Sequence, residues 1–481
     1  MSTIKQTQPP QGESFRDHIS TVDEKSGKRI WVYPKKPKGR FYRWRTWLSW
    51  VLLGFLFLAP FIKVNGHPLL LFNIIERKFI LFGVQFLPQD FHLFVFAALT
   101  AIVFLILFTV IYGRIFCGWV CPQTIFMEMV FRKIEYLIEG DAKAQKRLAK
   151  APWTAEKIFK KTLKIGIFFL IAVLIANVFL SYIIGVDQVL KIASEPISQH
   201  VGGFIAMLLF SFAFFGVFAY MREQVCIAIC PYGRLQGVMI NQDTVVIAYD
   251  FVRGEPRGKL RKGQTDSDTQ KQGDCIDCKL CVQVCPTGID IRNGTQLECI
   301  NCTACIDACD AVMDKIGKPR GLIRYDSYNG IVRGEKKILT PRVIAYTVVL
   351  GLLILGNILL LSNRSQVETL LLRAQGQLYQ HVDENYISNL YTYEVINKTE
   401  KAMPVTFQLA EGDRKKMSGV RFRIVGDKQP VAEPGKAVKG VLFIDIPADQ
   451  LQSRKTVLHI EVLSNGKIVD RTKTTFLGPI K

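Results

Sequence analysis

Eight of the twelve cysteines fall into two runs with the same spacing. The runs are Cys275-x2-Cys278-x2-Cys281-x3-Cys285-Pro286 and Cys299-x2-Cys302-x2-Cys305-x3-Cys309. Three thiolates from one tight loop can hold three irons of a 4Fe–4S cubane, and the fourth cysteine usually ligates the other cluster. The spacing therefore predicts two clusters and a protein that moves single electrons. We expect one cluster on Cys275, Cys278, Cys281 and Cys309, and the second on Cys299, Cys302, Cys305 and Cys285.

Two other uses of cysteine fit this pattern less well. Paired zinc sites normally show two C-x2-C halves separated by a longer stretch. A disulfide framework needs a secreted context, and the sequence around the runs argues against one. The second run departs from the ferredoxin pattern at Asp310, which stands where proline would follow the last cysteine. This departure leaves the local turn open, but no ligand is missing.

The cysteine runs lie inside a membrane protein. Long apolar stretches occur at about 46–62, 91–112, 165–184, 201–220 and 342–361. Each is near the ~20 residues that a helix needs to cross hydrocarbon. The first is the shortest, but Trp44, Trp47 and Trp50 mark a membrane interface at its start. It follows more than forty polar, basic residues without a small-residue cleavage site, unlike a signal peptide. We therefore predict five transmembrane helices.

Lys and Arg residues predict the sides of the loops. They are dense before the first span and in the 113–164 loop, whereas 63–90 has only Lys63, Arg77 and Lys78 and 185–200 has only Lys191. The positive-inside rule then places the N-terminus and the ferredoxin insert in the cytoplasm and the C-terminus in the periplasm of a bacterial inner membrane. The net charge of +21 comes from these juxtamembrane loops, where it meets anionic lipid. No basic face with aromatic readers points to nucleic acid.

The C-terminal part, 362–481, lacks cysteine and alternates polar and apolar residues. Alternating runs and an Asn465-Gly466 hairpin signal predict about seven strands. Together with the preceding features they predict a multi-domain membrane protein: five transmembrane α-helices, a cytoplasmic two-cluster ferredoxin-type insert and a C-terminal periplasmic immunoglobulin-like β-sandwich. The expected divisions are a basic cytoplasmic segment at 1–45, a four-helix membrane domain at 46–240, the ferredoxin domain at 241–341, the fifth transmembrane helix at 342–361 and the immunoglobulin-like domain at 362–481.

The remaining four cysteines form two C-x3-C-P motifs. Cys117 and Cys121 precede Pro122 after the second span, and Cys226 and Cys230 precede Pro231 after the fourth. Tyr112 and Arg114 precede one motif, and Tyr220 and Arg222 precede the other, which indicates an internal duplication of a two-helix unit. Thiols at i and i+4 share one helix face, so two such pairs could form a four-sulfur site. Four thiolates suit Cu(I), zinc or an Fe–S cluster, whereas buried cysteines can also simply pack as small hydrophobes.

With these motifs the chain resembles the polyferredoxin membrane proteins that include the NapH and NosR types. Five spans, the Trp31-Val-Tyr33-Pro34 stretch and the outer β-domain make it similar to the cytochrome c oxidase accessory proteins of the CcoG (FixG, RdxA) family. The resemblance covers essentially the whole chain. It implies a role in assembly of cbb3-type oxidase, with reduction of Cu(II) to Cu(I) before copper delivery.

The chemistry of the residues is compatible with such a cupric reductase. Cu(I) prefers sulfur ligands, whereas Cu(II) prefers nitrogen and oxygen, so a thiolate-rich site favours the reduced product. Two alternatives stay open: a quinol-oxidising membrane ferredoxin that passes electrons to a soluble reductase, and a non-redox assembly scaffold or copper chaperone. The expected partners are membrane lipid, copper ions, an electron donor and oxidase assembly factors or copper chaperones, and a homodimer stays open.

Overall fold

The structure is a computed structural model. It describes residues 21–22, 26, 28–64, 67–74, 78–82, 84–86, 90–259, 272–334, 338–363, 365–374, 376, 378–383, 385–399, 401–426, 429–451 and 453–479. The chain divides into two compact units, Met1–Asn357 and Ile358–Lys481. The first contains the membrane helices and both ferredoxin loops, and the second contains the C-terminal β-domain.

Five long helices coincide with the five apolar stretches. They are Arg40–Leu58, Phe91–Tyr112, Ala155–Ile184, Val201–Phe215 and Pro341–Ser362. The fourth continues as a π-helical turn, Gly216–Met221. Among the described residues, four helices are long and apolar enough to cross a membrane. The helix Arg40–Leu58 is not one of them, because three arginines lie in its first two turns. The chain is thus a membrane protein, and the fifth span stays a prediction.

The helix Ala155–Ile184 is the most buried of these helices. Thr154 caps its start by accepting a hydrogen bond from the Lys157 backbone N–H, and its buried face includes Phe168 and Ile175. Phe131 packs edge-on against Phe168, with ring centroids 4.8 Å apart, and stacks on Phe218 at 4.7 Å. Such aromatic contacts are worth about 0.5–1.5 kcal/mol each beyond area burial. This packing joins the helical segment after the first C-x3-C-P motif to the one before the second.

Short helices join the long ones. They are Ile115–Trp119, Pro122–Ile125, the π-helix Phe126–Phe131, Arg132–Ile138, Ala142–Lys150, Val186–Ser194, the 3-10 helix Ile197–Gln199, the π-helix Val225–Ile229 and Pro231–Met239. Strands in the 63–90 segment are Lys63–Val64, His67–Pro68, Leu70–Asn73, Lys78–Leu81 and Val84–Phe86. The last three form an antiparallel meander. Three π-helical turns flank the cysteine motifs, and π-turns occur frequently at functional sites.

The ferredoxin insert is built around an antiparallel strand pair, Val246–Tyr249 and Ile323–Asp326. Its helices are Phe251–Gly254, Leu280–Gln283, the 3-10 helix Ile291–Asn293, Ala304–Lys315 and Tyr328–Arg333. The strands bury Ile247 and Ile323 in one core together with cluster-motif cysteines. The cysteine loops are therefore held by the insert's own hydrophobic core.

The C-terminal unit contains ten described strands: Val367–Arg373, Gln380–Asp383, Tyr386–Asn397, Met403–Pro404, Thr406–Leu409, Arg421–Val425, Val431–Ala432, Ala437–Pro447, Lys455–Ser464 and Lys467–Leu477. A five-stranded and a three-stranded sheet enclose one core. Tyr391, Tyr393 and Val395 alternate inward along one strand, as a strand with one buried face must. Asn465 and Gly466 both have positive φ, 51° and 78°, as a type I′ hairpin requires.

Candidate metal centres

The two ferredoxin loops have the same backbone conformation. Asp277 and Lys279 have φ of 48° and 56°, and the equivalent Asn301 and Thr303 have φ of 52° and 65°. Left-handed conformation is uncommon outside glycine, so its recurrence at matched positions is a specific feature of the fold. Alternating right- and left-handed residues point successive backbone N–H groups into a concavity, which is how many Fe–S sites hold their anionic cluster. The loops therefore fit 4Fe–4S clusters.

The fourth cysteine of each run lies beside the first three of the other run. Cys309 is within electrostatic reach of Cys275, Cys278 and Cys281. Cys285 is within reach of Cys299, Cys302 and Cys305. These positions are compatible with the crosswise ligation predicted from the spacing, which stays a prediction.

The second set of thiols lines an apolar cavity. It is lined by four cysteines of that set and one of the other: Cys285, Cys299, Cys302, Cys305 and Cys281. Burial raises the pKa of Cys299 to about 12 and that of Cys302 to about 11. These thiols are therefore neutral at pH 7 until a metal supplies the compensating positive charge.

Asp310 explains a difference between the two runs. The helix after Cys278 ends at Gln283, shortly before Pro286, whereas the equivalent helix after Cys302 continues to Lys315. Proline would remove a helix hydrogen bond, and Asp310 permits the longer helix. Its buried Oδ1 accepts a hydrogen bond from the Gly321 backbone N–H at 3.0 Å.

The two C-x3-C-P motifs repeat one backbone pattern. Cys121 N–H donates to the Phe116 carbonyl at 2.9 Å, and Cys230 N–H donates to the Val225 carbonyl at 2.8 Å. Each of these hydrogen bonds spans five residues, the π-helical pattern. Cys121 and Cys230 then adopt extended ψ angles of 122° and 113° and precede helices that begin with proline. Residues before proline disfavour the α conformation.

The structure corrects two details of the sequence analysis. Each cysteine pair does not lie on one continuous α-helix, because the second cysteine is the extended residue before proline. Arg114 is also not the equivalent of Arg222. The N–H of Cys117 donates to the Arg114 carbonyl, and the N–H of Cys226 donates to the Glu223 carbonyl. The duplicated positions therefore carry opposite charges.

The structure nevertheless brings the two pairs together. Cys117 is within electrostatic reach of Cys121 and Cys230, and Cys226 is within reach of all three other thiols. Burial raises the pKa of Cys117 to about 11 and that of Cys226 to about 12. The positive charge of Arg114 opposes the shift in pKa at Cys117. We call this group the four-cysteine site.

The four-cysteine site contacts the second ferredoxin loop directly. Cys117 packs against the apolar cluster that contains Ile300 and Cys302. A Cβ atom at Gly118 would lie 2.9 Å from the Asn301 carbonyl oxygen, so glycine is needed for this approach. Trp119 Nε1 donates to the Tyr325 hydroxyl at 3.2 Å, and that hydroxyl donates to the Asn301 carbonyl at 3.3 Å. The four-cysteine site and the second ferredoxin loop thus form one packed assembly.

Arg114 joins three segments at this contact. Its guanidinium donates to Gln236 Oε1 at 2.6 Å and to the carbonyls of Leu297 and Gly233. Cys117 Sγ also donates to Gln236 Oε1, at 3.3 Å. Gln236 is fully buried. Arg114 therefore connects the first C-x3-C-P motif, the helix after the second motif and the chain before Cys299.

A buried charge network lies beside the four-cysteine site. Arg132 Nε is 2.9 Å from Glu128 and its Nη2 is 3.8 Å from Glu223. Glu135 pairs with Arg222 and lies 3.4 Å from Lys164. Burial raises the pKa of Glu135, but Arg222, Lys164 and Arg132 outweigh burial and hold the pKa below its usual range.

The segment 28–39 crosses this network and reaches the ferredoxin insert. Arg29 pairs with Glu223 at 2.9 Å, and its guanidinium lies 4.1 Å from the Trp31 ring centroid. Further along, Lys35 N–H donates to the Gln283 carbonyl at 2.7 Å, next to the first cluster motif. The Trp31–Pro34 stretch is therefore part of the contact between the membrane and ferredoxin parts.

The sequence alone did not identify Gly118, Gln236 and Asn301, which support the cysteine-bearing segments. Gly118 offered a signal, as a glycine inside a cysteine motif. Gln236 and Asn301 offered none, because single amides gain a role only from their neighbours in space. Among the described residues, no three Cys, His, Asp or Glu side chains are grouped as a site for a single metal ion.

Family models match three parts of the chain. A 4Fe-4S dicluster domain matches residues 221–328, a 4Fe-4S binding domain matches 94–139, and the IG-like fold at the C-terminal of FixG matches 358–479. Together with the apolar helices, these matches define a membrane-bound electron-transfer protein with 4Fe–4S ferredoxin domains.

The relatives identify its family. RdxB of Cereibacter sphaeroides is 36% identical over 390 residues, covering 78% of this chain and 81% of RdxB. RdxA of the same organism is 37% identical over 299 residues, covering 61% and 62%. Nitrogen fixation protein FixG of Rhizobium meliloti is 30% identical over 464 residues, covering 87% of each chain. The chain belongs to this FixG and Rdx family, which confirms the family predicted from its motifs.

Proposed function

We propose that this membrane electron-transfer protein reduces Cu(II) to Cu(I) at the four-cysteine site, during assembly of a cbb3-type cytochrome c oxidase. The observation that carries this proposal is the contact between Cys117 and the second ferredoxin loop. A thiol site in van der Waals contact with a cluster loop needs no diffusing carrier between them. Copper is the substrate, and each Cu(II) consumes one electron.

The eight cysteines of the ferredoxin runs are proposed to hold two 4Fe–4S clusters in the crosswise pairing described above. When bound, the clusters supply single electrons at low potential. The residues of the protein itself orient the thiols and control their surroundings. The left-handed loops orient the thiols, the apolar cavity excludes water, and Arg114 fixes Cys117 through the shared acceptor Gln236.

The thiol-rich donor set supports copper as the substrate. Cu(II) favours nitrogen and oxygen in tetragonal geometry, whereas Cu(I) favours soft sulfur. Four thiol ligands would therefore stabilise the product more than the substrate, which makes reduction more favourable. Burial raises the pKa of the Cys117 and Cys226 thiols, so binding of copper to them releases protons.

A further 4Fe–4S cluster in the four-cysteine site is the second candidate. A 4Fe-4S binding domain model matches residues 94–139, and that segment contains only Cys117 and Cys121. A cubane needs four ligands, so Cys226 and Cys230 would complete it. This alternative suits a quinol-oxidising electron carrier better than a copper reductase.

The test replaces one pair of thiols at a time. We expect C117S/C121S and C226S/C230S proteins to keep the iron of two cubanes, about eight per chain, and to lose most Cu(II) reduction. The protein is purified anaerobically, reduced and freed of reductant before Cu(II) is added. Cu(I) is then measured with a Cu(I)-specific chelator in a stopped-flow instrument.

Matched controls are available one residue before the second cysteine of each motif. Val120 and Ile229 are surface-exposed there, so V120S and I229S add a hydroxyl without removing a thiol and should reduce Cu(II) at the wild-type rate. Wild-type rates in the cysteine variants would contradict the proposal. About twelve irons in the wild type, falling in both variants, would favour the further cluster.

A further inference from the structure

An open pocket lies where the helix Arg40–Leu58 meets the helix Arg132–Ile138. Its volume is about 440 Å³, and it is lined by Lys36, Tyr42, Arg43, Thr46, Trp47 and Lys133. No residue of the four-cysteine site or the ferredoxin loops lines it. The pocket is therefore separate from the redox centres.

Three cations converge on this pocket without a matching anion. In the part of the chain that the structure describes, Lys36, Arg43 and Lys133 form no ion pair. Two carboxylates lie nearby but pair with none of these three side chains: Glu128 pairs with Arg132 at 2.9 Å, and Asp141 accepts from the backbone N–H of Lys36 at 2.8 Å. Burial lowers the pKa of Lys133, and Lys36 and Arg45 lower it further. The pocket therefore favours a bound anion.

An apolar ridge continues from the pocket along the same helix. Trp47, Val51, Phe55 and Leu58 are 71%, 64%, 49% and 61% exposed. Residues at steps of three and four share one helix face, so this ridge extends about 16 Å from the pocket. The opposite side of the helix is buried at Arg45 and Ser49. The charged pocket and the apolar ridge thus meet at Trp47.

We propose that the pocket binds the phosphate of an anionic phospholipid, with the acyl chains along the Trp47–Leu58 ridge. Lys36, Arg43 and Lys133 surround the phosphate, and Thr46 and Tyr42 offer hydroxyl groups to the headgroup. A free phosphate ion would share the charge chemistry, but it would leave the apolar ridge uncovered. Basic pockets beside membrane helices are a known means of binding anionic headgroups.

The lipid would act on the helix that supports the four-cysteine site. Arg45 lies two residues from Arg43, and its Nε donates to the Gly118 carbonyl at 2.6 Å. Of the three arginines at the start of this helix, Arg40 lies 3.7 Å from Asp310 and Arg45 contacts Gly118, whereas Arg43 would contact the lipid.

The test compares lipid binding by the full-length protein in a neutral detergent. Native mass spectrometry counts bound phosphatidylglycerol and phosphatidylcholine with identical acyl chains. We expect the wild type to prefer phosphatidylglycerol, and K36Q/R43Q/K133Q to bind it on the order of 100-fold more weakly. The control K143Q/K146Q/K150Q removes the same charge from the helix Ala142–Lys150, outside the pocket, and should retain the wild-type preference.

Two further measurements separate the sources of phosphate. The ridge variant V51Q/F55Q keeps all three cations and should bind phosphatidylglycerol more weakly than the wild type. Millimolar inorganic phosphate should not displace the lipid. Displacement by phosphate, or an unchanged ridge variant, would identify a free-anion site and overturn the proposal, as would equal binding of both lipids by the wild type. If the triple variant does not fold, K133Q alone must bind phosphatidylglycerol more weakly than the wild type.

Discussion

At the scale of single residues, function depends on small side chains and paired charges that hold the thiols in place. Gly118 is an example. It lets the first C-x3-C-P motif touch the backbone of the second ferredoxin loop, and a side chain there would meet main-chain atoms that have no freedom to move aside. The glycine therefore determines the distance between the two metal-ligating regions.

The variant G118A tests this close approach. Alanine would normally strengthen a helix, but here we expect overpacking to destabilise the protein by about 1–3 kcal/mol and to slow Cu(II) reduction. Thermal unfolding and stopped-flow reduction measure the two effects. Gly166 lies in a long helix with open space around it, so G166A should leave both unchanged or slightly raise stability. An active, fully stable G118A protein would show that the loops need not touch.

The buried charge network gives a second residue-scale prediction. Replacing Glu135 with glutamine leaves Arg222 buried without its carboxylate, which should cost about 3–5 kcal/mol of unfolding free energy. The exposed pair Glu156–Lys160 supplies the control, since E156Q should change stability very little. Thermal unfolding of both variants measures the difference.

The contribution of the Glu135–Arg222 pair to stability depends on pH, and the direction in which the pKa of Glu135 is shifted determines how. Glu135 has a lowered pKa, so the carboxylate contributes its full stability above its unfolded-state pKa. That contribution is lost only as the pH falls through the lowered folded-state pKa. The stability difference between wild type and E135Q should therefore be constant from pH 5 to pH 8. A stability difference that shrinks as the pH falls toward 5 would mean that the folded protein raises the pKa of Glu135.

At the scale of elements, helix Arg40–Leu58 shows what the sequence could and could not predict. Apolar length predicted all five long helices, because lipid-facing helices carry their signal in composition. Boundaries were predicted less accurately: the first helix begins six residues before its apolar stretch and the third begins ten residues before its own, both within basic segments. The crosswise cysteine pairing and the hairpin at Asn465-Gly466 could also be expected, since each rests on local spacing. The π-helical turns and the equivalence of Arg114 with Glu223 could not be predicted, because they depend on the packing of distant segments.

Contacts at both ends of this helix bear on its topology. Phe41 and Tyr42 N–H groups donate to Asp307 of the ferredoxin insert. Toward the other end, the Leu56 carbonyl accepts from the hydroxyl of Tyr182 at 2.7 Å, near the end of the helix Ala155–Ile184. The start of the helix thus contacts the ferredoxin insert and its end contacts a membrane-length helix, which supports a fifth span.

Reporter fusions test the five-span prediction. A reporter before residue 1 and one near Gly263 should both be cytoplasmic, and one after Lys481 should be periplasmic. If the first helix does not cross, the N-terminal reporter will be periplasmic while the other two are unchanged.

At the scale of the whole molecule, the two units have separate cores. The ferredoxin core includes cluster-motif cysteines, whereas the C-terminal core contains no cysteine. Metal should therefore stabilise only the first unit.

Removal of iron tests this division. Treatment with an iron chelator under anaerobic conditions should increase amide hydrogen exchange across 275–326, because metal-ligated loops lose their structure with the metal. Exchange in the strands Tyr386–Asn397 and Ala437–Pro447 should not change, and these strands are the internal control. Loss of protection in both units would mean that they unfold cooperatively.

The repeated backbone of the C-x3-C-P motifs also bears on the ancestry of the fold. One two-helix unit supplies only two thiols, so an ancestral unit could have formed a four-thiol site only by pairing with a second copy of itself. In such an ancestor both halves of the site would be identical. Fusion of the two copies into one chain removed that constraint, and Arg114 and Glu223 now occupy equivalent positions with opposite charge. One half has become specialised for contact with the ferredoxin, and the other for contact with the buried network beneath the N-terminal segment.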